Sequence, residues 1–293
     1  MRWTVVAGDR REGAAAGRLA ALGHRVLLFG RPAGGAPLAP DAAAAFGSAE
    51  AVLGPALGTN AAGDALRRPE PEGPLPVEAA WLDLCPAGTP WLVGQAGPWL
   101  AAATAERGLP LLQYARCAEY AALNAIPTAE GAIAEACRRA GRTAWDSAAL
   151  VVGGGHCAQA LVQRLTALGC AVACAARDPA QRAQARRFGA LALPLEQLPA
   201  AAAGRAFLFN TVPAPLVTRR VLEALPPAAI VLDLASAPGG TDFAAAEALG
   251  LAAALLPAIP GRSFPETAGR IIAEVAIGLL APRRREAGRR GGL

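Results

Sequence analysis

The chain has 293 residues and a formal net charge of +5, and every one of its 28 basic residues is an arginine. Without lysine it can form neither a Schiff base nor a Walker-type phosphate loop, and its two histidines exclude a zinc site built on several histidines, so we expect no metal. The last twelve residues hold five arginines and one glutamate, so the rest is nearly neutral and we expect no nucleic-acid partner.

Short apolar runs alternate with alanine-rich helical stretches along the first half of the chain. The pattern predicts strands at 2–7, 25–29, 91–93 and 109–112, and helices at about 11–22 and 98–108. Residues 31–80 are rich in glycine, proline and alanine and give no clear assignment. Alternation of this kind is typical of a parallel sheet with helices on both faces.

The second half shows the same alternation more strongly. Strands are predicted at 148–152, 170–176, 190–193, 206–210, 229–234 and 251–256, with flanking helices at 128–140 and 266–280. We therefore predict an α/β fold with two doubly wound parallel-sheet domains, the second a Rossmann dinucleotide-binding domain, joined by linking helices. The expected divisions are 1–127, a linking helix 128–143, 144–265, a returning helix 266–281 and a solvated basic tail 282–293.

Cysteine usage and hydropathy predict a soluble cytoplasmic protein. Six cysteines without a CxxC pair are expected to be reduced thiols. The segment after Met1 reads as a strand rather than as a signal peptide. The longest uncharged run, 84–105, is interrupted by prolines and glycines, so we expect no membrane helix.

A glycine-rich string follows the strand at 148–152 and opens the next helix: Gly153-Gly154-Gly155-His156-Cys157-Ala158. In a dinucleotide site, Gly153 makes the tight turn, Gly155 lets the backbone approach a pyrophosphate at the helix N-terminus, and Ala158 allows close packing of helix on strand. We expect His156 and Cys157 to lie in this phosphate loop, with His156 either on the loop surface or in contact with phosphate rather than acting in catalysis. The alternative is a glycine-rich turn without a ligand.

The end of the next strand bears on the choice between NADP and NAD. NAD sites usually place an acidic residue there to bind the ribose hydroxyls, whereas this chain has Arg177, which suits the 2′-phosphate of NADP. We therefore favour NADP. Asp178 is interpreted as the N-cap of a helix that begins at Pro179, with a displaced ribose ligand as the alternative.

Polar residues end two further predicted strands of the second domain. Ligands bind beyond the carboxyl ends of strands in an open parallel sheet, so these residues are candidates to face the cofactor and substrate. They are Asn210, Thr211, Val212, Pro213, Asp233 and Ser236. The alternative for Asn210 and Asp233 is that they merely terminate strands and cap the following turns.

Several strings resemble the A subunit of dipicolinate synthase from spore-forming bacteria. They cover residues 123–132, 210–213, 233–243, 260–261 and 265–269, with a fainter similarity at Gly8-Asp9-Arg10-Arg11. This sequence departs from the family at His156 and Ala158 of the phosphate loop. It also departs at Leu57-Gly58-Thr59, where the family has Ser-Gly-Thr.

The resemblance implies NADP-dependent conversion of 4-hydroxy-tetrahydrodipicolinate, a precursor in the lysine pathway, to pyridine-2,6-dicarboxylate. Water is lost and a hydride passes to NADP⁺. It also implies a second, flavoprotein-like B subunit of dipicolinate synthase as partner and a location in the mother cell of a sporulating bacterium. Homo-oligomerisation is left open.

A dianionic substrate needs cations, and arginine is what this chain offers. We predict Arg11 and Arg262 as carboxylate ligands, with Thr128 and Ser236 nearby, although Arg262 is equally consistent with a solvated loop. For proton transfer Glu130 is the first choice, in the first turn of its predicted helix, supported by Asn124 and Ser236. The alternative for Glu130 is a favourable acid at a helix N-terminus.

Two other functions are consistent with the sequence. One is a dehydrogenase for another small carboxylate such as a 2-hydroxy acid, but that class typically uses a late histidine and this chain has none after His156. The other is a non-catalytic regulatory protein that binds the cofactor. The scarcity of acid and base groups favours that interpretation slightly, and the polar strings at the strand ends speak against it.

Overall fold

The computed structural model describes residues 1–30, 36–69 and 71–290. Two units divide the chain, one formed by Met1–Asn124 with Phe264–Leu293 and the other by Ala125–Ser263. Parts of the unassigned stretch 31–80 (residues 31–35 and 70) and of the predicted tail (residues 291–293) lie outside the described residues. Each unit is built on a parallel sheet, as the alternation of strand and helix patterns predicts.

The first unit contains a five-stranded parallel sheet in the order β2-β1-β3-β6-β7, and a small antiparallel pair, β4-β5. Its strands are β1 (Arg2–Val6), β2 (Arg25–Phe29), β3 (Ala51–Leu53), β4 (Ala65–Leu66), β5 (Leu75–Pro76), β6 (Trp91–Val93) and β7 (Leu111–Gln113). Its first helices are α1 (Arg10–Ala21), α2 (Ala42–Phe46), α3 (Ala79–Leu84) and α4 (Pro98–Glu106). The stretch 31–80 thus contributes a central strand, β3.

Alternate residues of β1 enter cores on opposite faces of this sheet. Trp3 and Val5 belong to one apolar cluster, whereas Val6 belongs to the other. In the second cluster the ring of Phe46 stacks on Trp81 and on Trp91, with ring centroids 5.6 and 5.8 Å away. The two-residue period is expected for a strand that is buried on both faces.

The second unit contains a six-stranded parallel sheet in the order β10-β9-β8-β11-β12-β13. Its strands are β8 (Ala148–Val152), β9 (Ala171–Ala175), β10 (Leu191–Leu193), β11 (Phe207–Asn210), β12 (Ile230–Asp233) and β13 (Ala252–Leu255). In chain order within the unit this is 3-2-1-4-5-6, the arrangement of dinucleotide-binding folds. The predicted fold class is confirmed.

A long helix, α5, covers Ala118–Ala140 and corrects the prediction of a helix that begins at Thr128. We expected Pro127 to mark a helix start, because proline is common in the first turn. It lies inside the helix instead, where its ring fixes a helical φ and removes only one backbone N–H. Apolar residues on both sides of Pro127, including Tyr120 and Ile133, are buried, and this packing holds the helix together.

The remaining helices belong to the second unit, except the last one, which belongs to the first. They are α6 (His156–Ala167), α7 (Pro179–Arg187), α8 (Leu198–Ala202), α9 (Arg219–Leu222), α10 (Phe243–Ala248), α11 (Ile259–Ser263) and α12 (Pro265–Arg290). The helix α12 continues through Arg290, so the expected end of the returning helix at residue 281 is wrong, and the solvation of the basic tail stays a prediction. Arginine, glutamate and alanine are good helix formers and extend it. None of the described helices is long and apolar enough to cross a membrane.

Arginine side chains hold several loops by donating to backbone carbonyls. Arg68 donates to the carbonyls of Gly73, Gly30 and Glu72 over 2.8–3.0 Å. Arg205 donates from Nε to Ala201 and from Nη1 to Ala171, both over 3.0 Å. The flat guanidinium reaches several acceptors at once, which a lysine ammonium on a single stem does less well.

Candidate functional site

The phosphate loop begins where β8 ends. Gly153 has a φ of +116°, its N–H donates to the carbonyl of Ala175 over 2.8 Å, and a Cβ there would collide with Thr211 Oγ1. Thr211 in turn donates from Oγ1 to the carbonyl of Val152 over 2.9 Å. Gly153 is therefore the residue at which the ends of β8, β9 and β11 meet, and only glycine fits there.

Gly155 is the N-cap of α6 and lies on the open side of the loop. A Cβ on Gly155 would meet no atom within 4 Å, whereas Ala158 is fully buried against the sheet. The N–H groups in the first turn of a helix have no acceptor within the helix, and they face this open space with the positive end of the helix dipole. This cradle fits a pyrophosphate.

The two side chains between these positions differ in exposure. His156 is exposed at the first position of α6, consistent with a loop position beside a ligand. Cys157 is half-buried, and burial raises the pKa of its thiol, so it stays neutral at ordinary pH. At ordinary pH Cys157 is therefore a thiol and not a nucleophilic thiolate.

Gly155→Ala should keep the fold but weaken dinucleotide binding. The φ of Gly155 is −75°, which alanine adopts freely, so the free energy of unfolding should change by less than about 1 kcal/mol. The new methyl group would project into the open cradle, and we expect the Kd for a nicotinamide dinucleotide to rise about tenfold or more. Urea unfolding and a fluorescence titration measure the two effects.

Gly153→Ala is the matched control for that variant. Its positive φ and the collision with Thr211 should lower the free energy of unfolding by about 2–3 kcal/mol. Equal dinucleotide affinity in Gly155→Ala and the wild type would show that Gly155 is not part of the dinucleotide site.

Beyond β9 lie three polar side chains that bear on the cofactor prediction. Asp178 accepts the N–H of Ala180 over 2.8 Å, so the prediction that it caps the helix starting at Pro179 is confirmed. Arg182 donates from Nη1 to the carbonyls of Ala176 and Arg177 over 2.8 and 2.6 Å. Arg177 itself is exposed at the strand end, where a 2′-phosphate would lie.

Gln159 is a residue that the sequence patterns did not single out. It is 8% exposed, and its Nε2 donates to the carbonyls of Gly154 and Gln181 over 3.3 and 3.1 Å. A Cβ on Gly154 would collide with the Gln181 side chain. Gln159 thus joins the middle of the phosphate loop to α7. A polar glutamine on the helix face that packs against the sheet is the sequence feature that could have indicated this role.

Asp233 is the centre of a buried hydrogen-bond network at the ends of β11 and β12. Its Oδ2 accepts from Asn210 Nδ2, the N–H of Gly240 and Thr241 Oγ1 over 2.9, 2.8 and 2.7 Å. Its Oδ1 accepts the N–H of Ala235 over 3.0 Å. Both Asn210 and Asp233 are 0% exposed, an arrangement that fits the structural alternative of strand ends that cap the following turns.

The rest of this strand-end group is more accessible. Thr211 and Val212 are half-buried, and Pro213 and Ser236 are exposed. Asn210 also braces Val212, because its Nδ2 donates to the Val212 carbonyl and its Oδ1 accepts the Val212 N–H. Contacts of these residues with cofactor or substrate stay predictions, with Ser236 the exposed hydroxyl at this edge.

Glu130 does not lie in the first turn of a helix, because α5 begins twelve residues earlier. Its carboxylate is about half exposed and accepts from Arg164 Nε over 2.9 Å. Thr128, on the same helix, is 8% exposed, and Asn124 is half-buried. The expected favourable placement of Glu130 at a helix N-terminus is wrong, and its role in proton transfer stays a prediction.

Arg262 lies in a cavity of about 350 Å³ in the second unit, together with Glu135, Arg138 and Arg139. Glu135 pairs with both Arg138 and Arg139, and these bonds lower the pKa of its carboxyl to about 2. Residues of the phosphate loop do not line this cavity among the described residues. The cavity therefore does not bring Arg262 together with the phosphate loop, and its role as a substrate ligand stays a prediction.

A second polar cluster lies in the first unit, at the start of α1. Arg11 is 5% exposed and holds Asp9 through three hydrogen bonds of 2.7–3.1 Å. Burial favours the neutral form of Asp9, but Arg11 outweighs it and leaves the pKa of Asp9 below its usual value. Arg11 therefore already binds a carboxylate of its own chain. A substrate carboxylate would have to share the Arg11 guanidinium with Asp9.

Among the residues the structure describes, no group of three or more histidine, cysteine, aspartate or glutamate side chains could hold a metal ion.

A family model for the N-terminal domain of the A subunit of dipicolinate synthase matches residues 2–115. The A subunit of dipicolinate synthase from Bacillus subtilis (strain 168) is 33% identical over 208 residues, covering 71% of this chain and 70% of that protein. The chain belongs to the family of dipicolinate synthase A subunits.

Solved structures agree with this assignment. The crystal structure of the A subunit of dipicolinate synthase from Bacillus halodurans has a TM-score of 0.82 and 28% identity, and the match covers 96% of this chain and 97% of that one. An L-alanine dehydrogenase, at 17% identity and a TM-score of 0.64 over 96% and 90% of the chains, shares the fold. The family match includes the first unit, where the sequence resemblance was fainter.

Two strings that were compared with the dipicolinate synthase family, one shared (233–243) and one departing (57–59), have structural roles. The string 233–243 contains the acceptor Asp233 and the donors of its network at Ala235, Gly240 and Thr241. In the departing string, Thr59 Oγ1 accepts the N–H of Gly97 over 2.7 Å. The first string shapes a strand-end turn, and the second joins two loops of the first unit.

Proposed function

We propose that this chain forms pyridine-2,6-dicarboxylate from 4-hydroxy-tetrahydrodipicolinate with NADP⁺ as oxidant. The observation that carries the proposal is the open phosphate cradle at Gly153 and Gly155, on a 3-2-1-4-5-6 sheet, in a member of the family of dipicolinate synthase A subunits. Exposed Arg177 at the end of β9 supports NADP over NAD.

The proposed reaction has two parts. Loss of water removes the ring hydroxyl with a neighbouring proton, and oxidation then removes a hydride and a proton to leave an aromatic ring. NADP⁺ supplies the hydride acceptor when it is bound. Aromatisation drives the second part, so a strong base is not required of the protein, and solvent can take the proton.

The residues of this chain have binding and positioning roles in the proposal. The first N–H groups of α6 hold the pyrophosphate, and Arg177 holds the 2′-phosphate. The network around Asp233 fixes the turn that carries Ser236 at the edge of the sheet. Asp233 itself has a positioning role in the proposal, because it is fully buried and both of its oxygens already accept hydrogen bonds.

The direct test mixes the purified chain with NADP⁺ and 4-hydroxy-tetrahydrodipicolinate. NADPH and pyridine-dicarboxylate absorbance should rise together, one NADPH for each ring formed. The assay is repeated with the B subunit of dipicolinate synthase, a partner that is supported by the designation of the relatives as A subunits. Absence of turnover in both mixtures would contradict the proposal.

Arg177→Asp tests the choice of cofactor. An aspartate would repel the 2′-phosphate of NADP⁺ and could accept from the ribose hydroxyls of NAD⁺. We expect the Kd for NADP⁺ to rise about tenfold to a hundredfold, with little change or a decrease for NAD⁺. Arg187→Asp is the matched control, because Arg187 is also an exposed arginine but lies at the other end of α7. Equal losses for both dinucleotides would refute the assignment to NADP.

A non-catalytic protein that binds the cofactor is the second candidate. It is favoured by the engagement of Glu130 with Arg164 and by the saturated hydrogen bonding of Asp233. In that case the chain should bind NADP⁺ in a titration and yield no NADPH alone, while the B subunit with substrate turns over only in its presence. The remaining expectations of the resemblance, a role in sporulation and a location in the mother cell, follow the same proposal.

A further inference from the structure

The first unit has a topological switch point between β1 and β3, because its strand order is β2-β1-β3-β6-β7. In open parallel sheets the loops after the two strands at this point diverge, and ligands bind in the crevice between them. Here the β1 loop is residues 7–9 and the β3 loop is residues 54–59. What fills the crevice therefore decides whether the unit can bind an anionic ligand there.

A carboxylate of the chain itself joins these two loops. Glu12 is 1% exposed, its Oε2 accepts the N–H of Asp9 over 2.6 Å, and its Oε1 accepts the N–H of Ala56 over 2.7 Å. The carboxylate lies against Gly8, where a Cβ would collide with it. The two backbone donors come from opposite sides of the switch point, as they would for a bound anion.

The charged and titratable groups that face Glu12 come from three elements. Arg11, on the same helix, stabilises the Glu12 carboxylate and also holds Asp9. Tyr114, after β7, and Tyr120, on α5, interact with Glu12 as well, and burial raises the pKa of both phenols, of Tyr120 to about 12. Arg11 is thus the cation in this set, and both tyrosines stay neutral.

The loop that Glu12 holds is coupled to the next loop of the sheet. Gly94 donates its N–H to the carbonyl of Pro55 over 3.0 Å, and a Cβ on Gly94 would collide with the Ala56 carbonyl. Thr59 donates its N–H to the carbonyl of Gln95 over 2.9 Å. A shift of Ala56 would therefore move the carboxyl edge of both β3 and β6.

We propose that the carboxyl group of Glu12 occupies the ligand crevice of the first unit, in the place of a bound anion, and positions its strand-end loops. The crevice is thereby closed to the phosphate of a nucleotide. Under the proposed function, on which this consequence rests, the fixed loops form the substrate side of the enzyme, and Glu12 is a positioning residue rather than a catalytic one.

Amide hydrogen exchange tests this assignment without turnover. In Glu12→Ala the amides of Asp9 and Ala56 lose their acceptor, and we expect exchange at Ala56 to accelerate about tenfold or more relative to the strand amide of Leu53. Formate, added against chloride of equal ionic strength, should enter the vacated site, slow this exchange and raise the Tm. Unchanged exchange at Ala56, or no difference between formate and chloride, would overturn the proposal.

Two further variants keep the test decisive. Glu12→Gln keeps the shape but has one acceptor oxygen, so one of the two amides should exchange faster even if the alanine variant does not fold. Glu50→Ala is the control, because Glu50 accepts the N–H of Arg2 on the surface of the same sheet and formate should not affect that variant. Wild-type protection of both amides in Glu12→Gln contradicts the assignment.

Kinetics then separate this inference from the proposed function. In the turnover assay Glu12→Gln should raise the KM for the dicarboxylate at least about fivefold and leave the KM for NADP⁺ unchanged. Equal KM values in variant and wild type would refute the positioning role. If the wild type itself shows no turnover, the proposed function fails. The exchange and formate results still show whether the carboxyl group of Glu12 occupies the crevice.

Discussion

Asp233→Ala should lower the free energy of unfolding by about 3–5 kcal/mol. It leaves several buried donors without an acceptor, and each such donor destabilises the fold by about 1–3 kcal/mol. The carboxylate is fully buried and accepts from Asn210, Ala235, Gly240 and Thr241. A Cβ at neighbouring Gly239 would lie 2.8 Å from Asp233 Oδ2, so the turn is packed tightly around this group. Urea unfolding followed by circular dichroism measures the loss.

Two variants show whether the network or the negative charge matters. Asp242→Ala is the control: Asp242 is exposed and only caps α10, accepting the N–H of Ala245 over 2.9 Å, so its loss should cost about 1 kcal/mol. Asp233→Asn presents an amide NH₂ to donors and should cost nearly as much as alanine. A cost for Asp233→Ala no larger than that of Asp242→Ala would show that the network contributes little.

The stability of the wild type relative to Glu12→Gln should depend on pH. Burial raises the pKa of the Glu12 carboxyl to about 7, against 4.5 for the ordinary group, although Arg11 opposes the shift. Between these values the folded chain binds a proton that the unfolded chain does not, so this contribution is complete below about pH 4.5 and is lost as the pH rises through 7. The variant lacks the titrating group.

We therefore expect the wild type to gain about 2–3 kcal/mol over Glu12→Gln when the pH falls from about 8 to about 5. Urea unfolding of both proteins at the two pH values gives this difference, and groups common to both cancel. The Glu50→Ala variant should follow the wild type, since Glu50 lies on the surface. A difference that stays constant, or that changes in the opposite direction, would show that Glu12 does not take up a proton in this range.

Features that depend on neighbours in sequence were predictable. The phosphate loop joins a buried strand to a helix within a few residues, and its glycines specify the turn that the structure shows at Gly153. The cap at Asp178 likewise needs only the two residues that follow it. The doubly wound parallel sheet of the second unit was likewise predictable from the regular alternation of strand and helix patterns.

Features that depend on partners distant in sequence were not predictable. The start of α5 was wrong because tertiary packing overrides the local preference of Pro127 for a first turn. Glu130 was consequently misplaced, and its partner Arg164 is 34 residues away. Glu12 was missed because its acceptor role needs Ala56, 44 residues further along the chain. The local pattern of Asp9 followed three residues later by Glu12 indicates only a capping box, which the structure shows, and not the contact with Ala56.

The arginines that bind backbone carbonyls have a practical consequence for chemical labelling. Reagents directed at amines find no lysine side chain in this sequence, whereas dicarbonyl reagents that attack guanidinium groups find many targets. Exposed Arg177 should be modified early, while Arg68 and Arg205 must first release the backbone oxygens that they bind. The order in which arginines are modified would therefore record which loops open first, without any engineered probe.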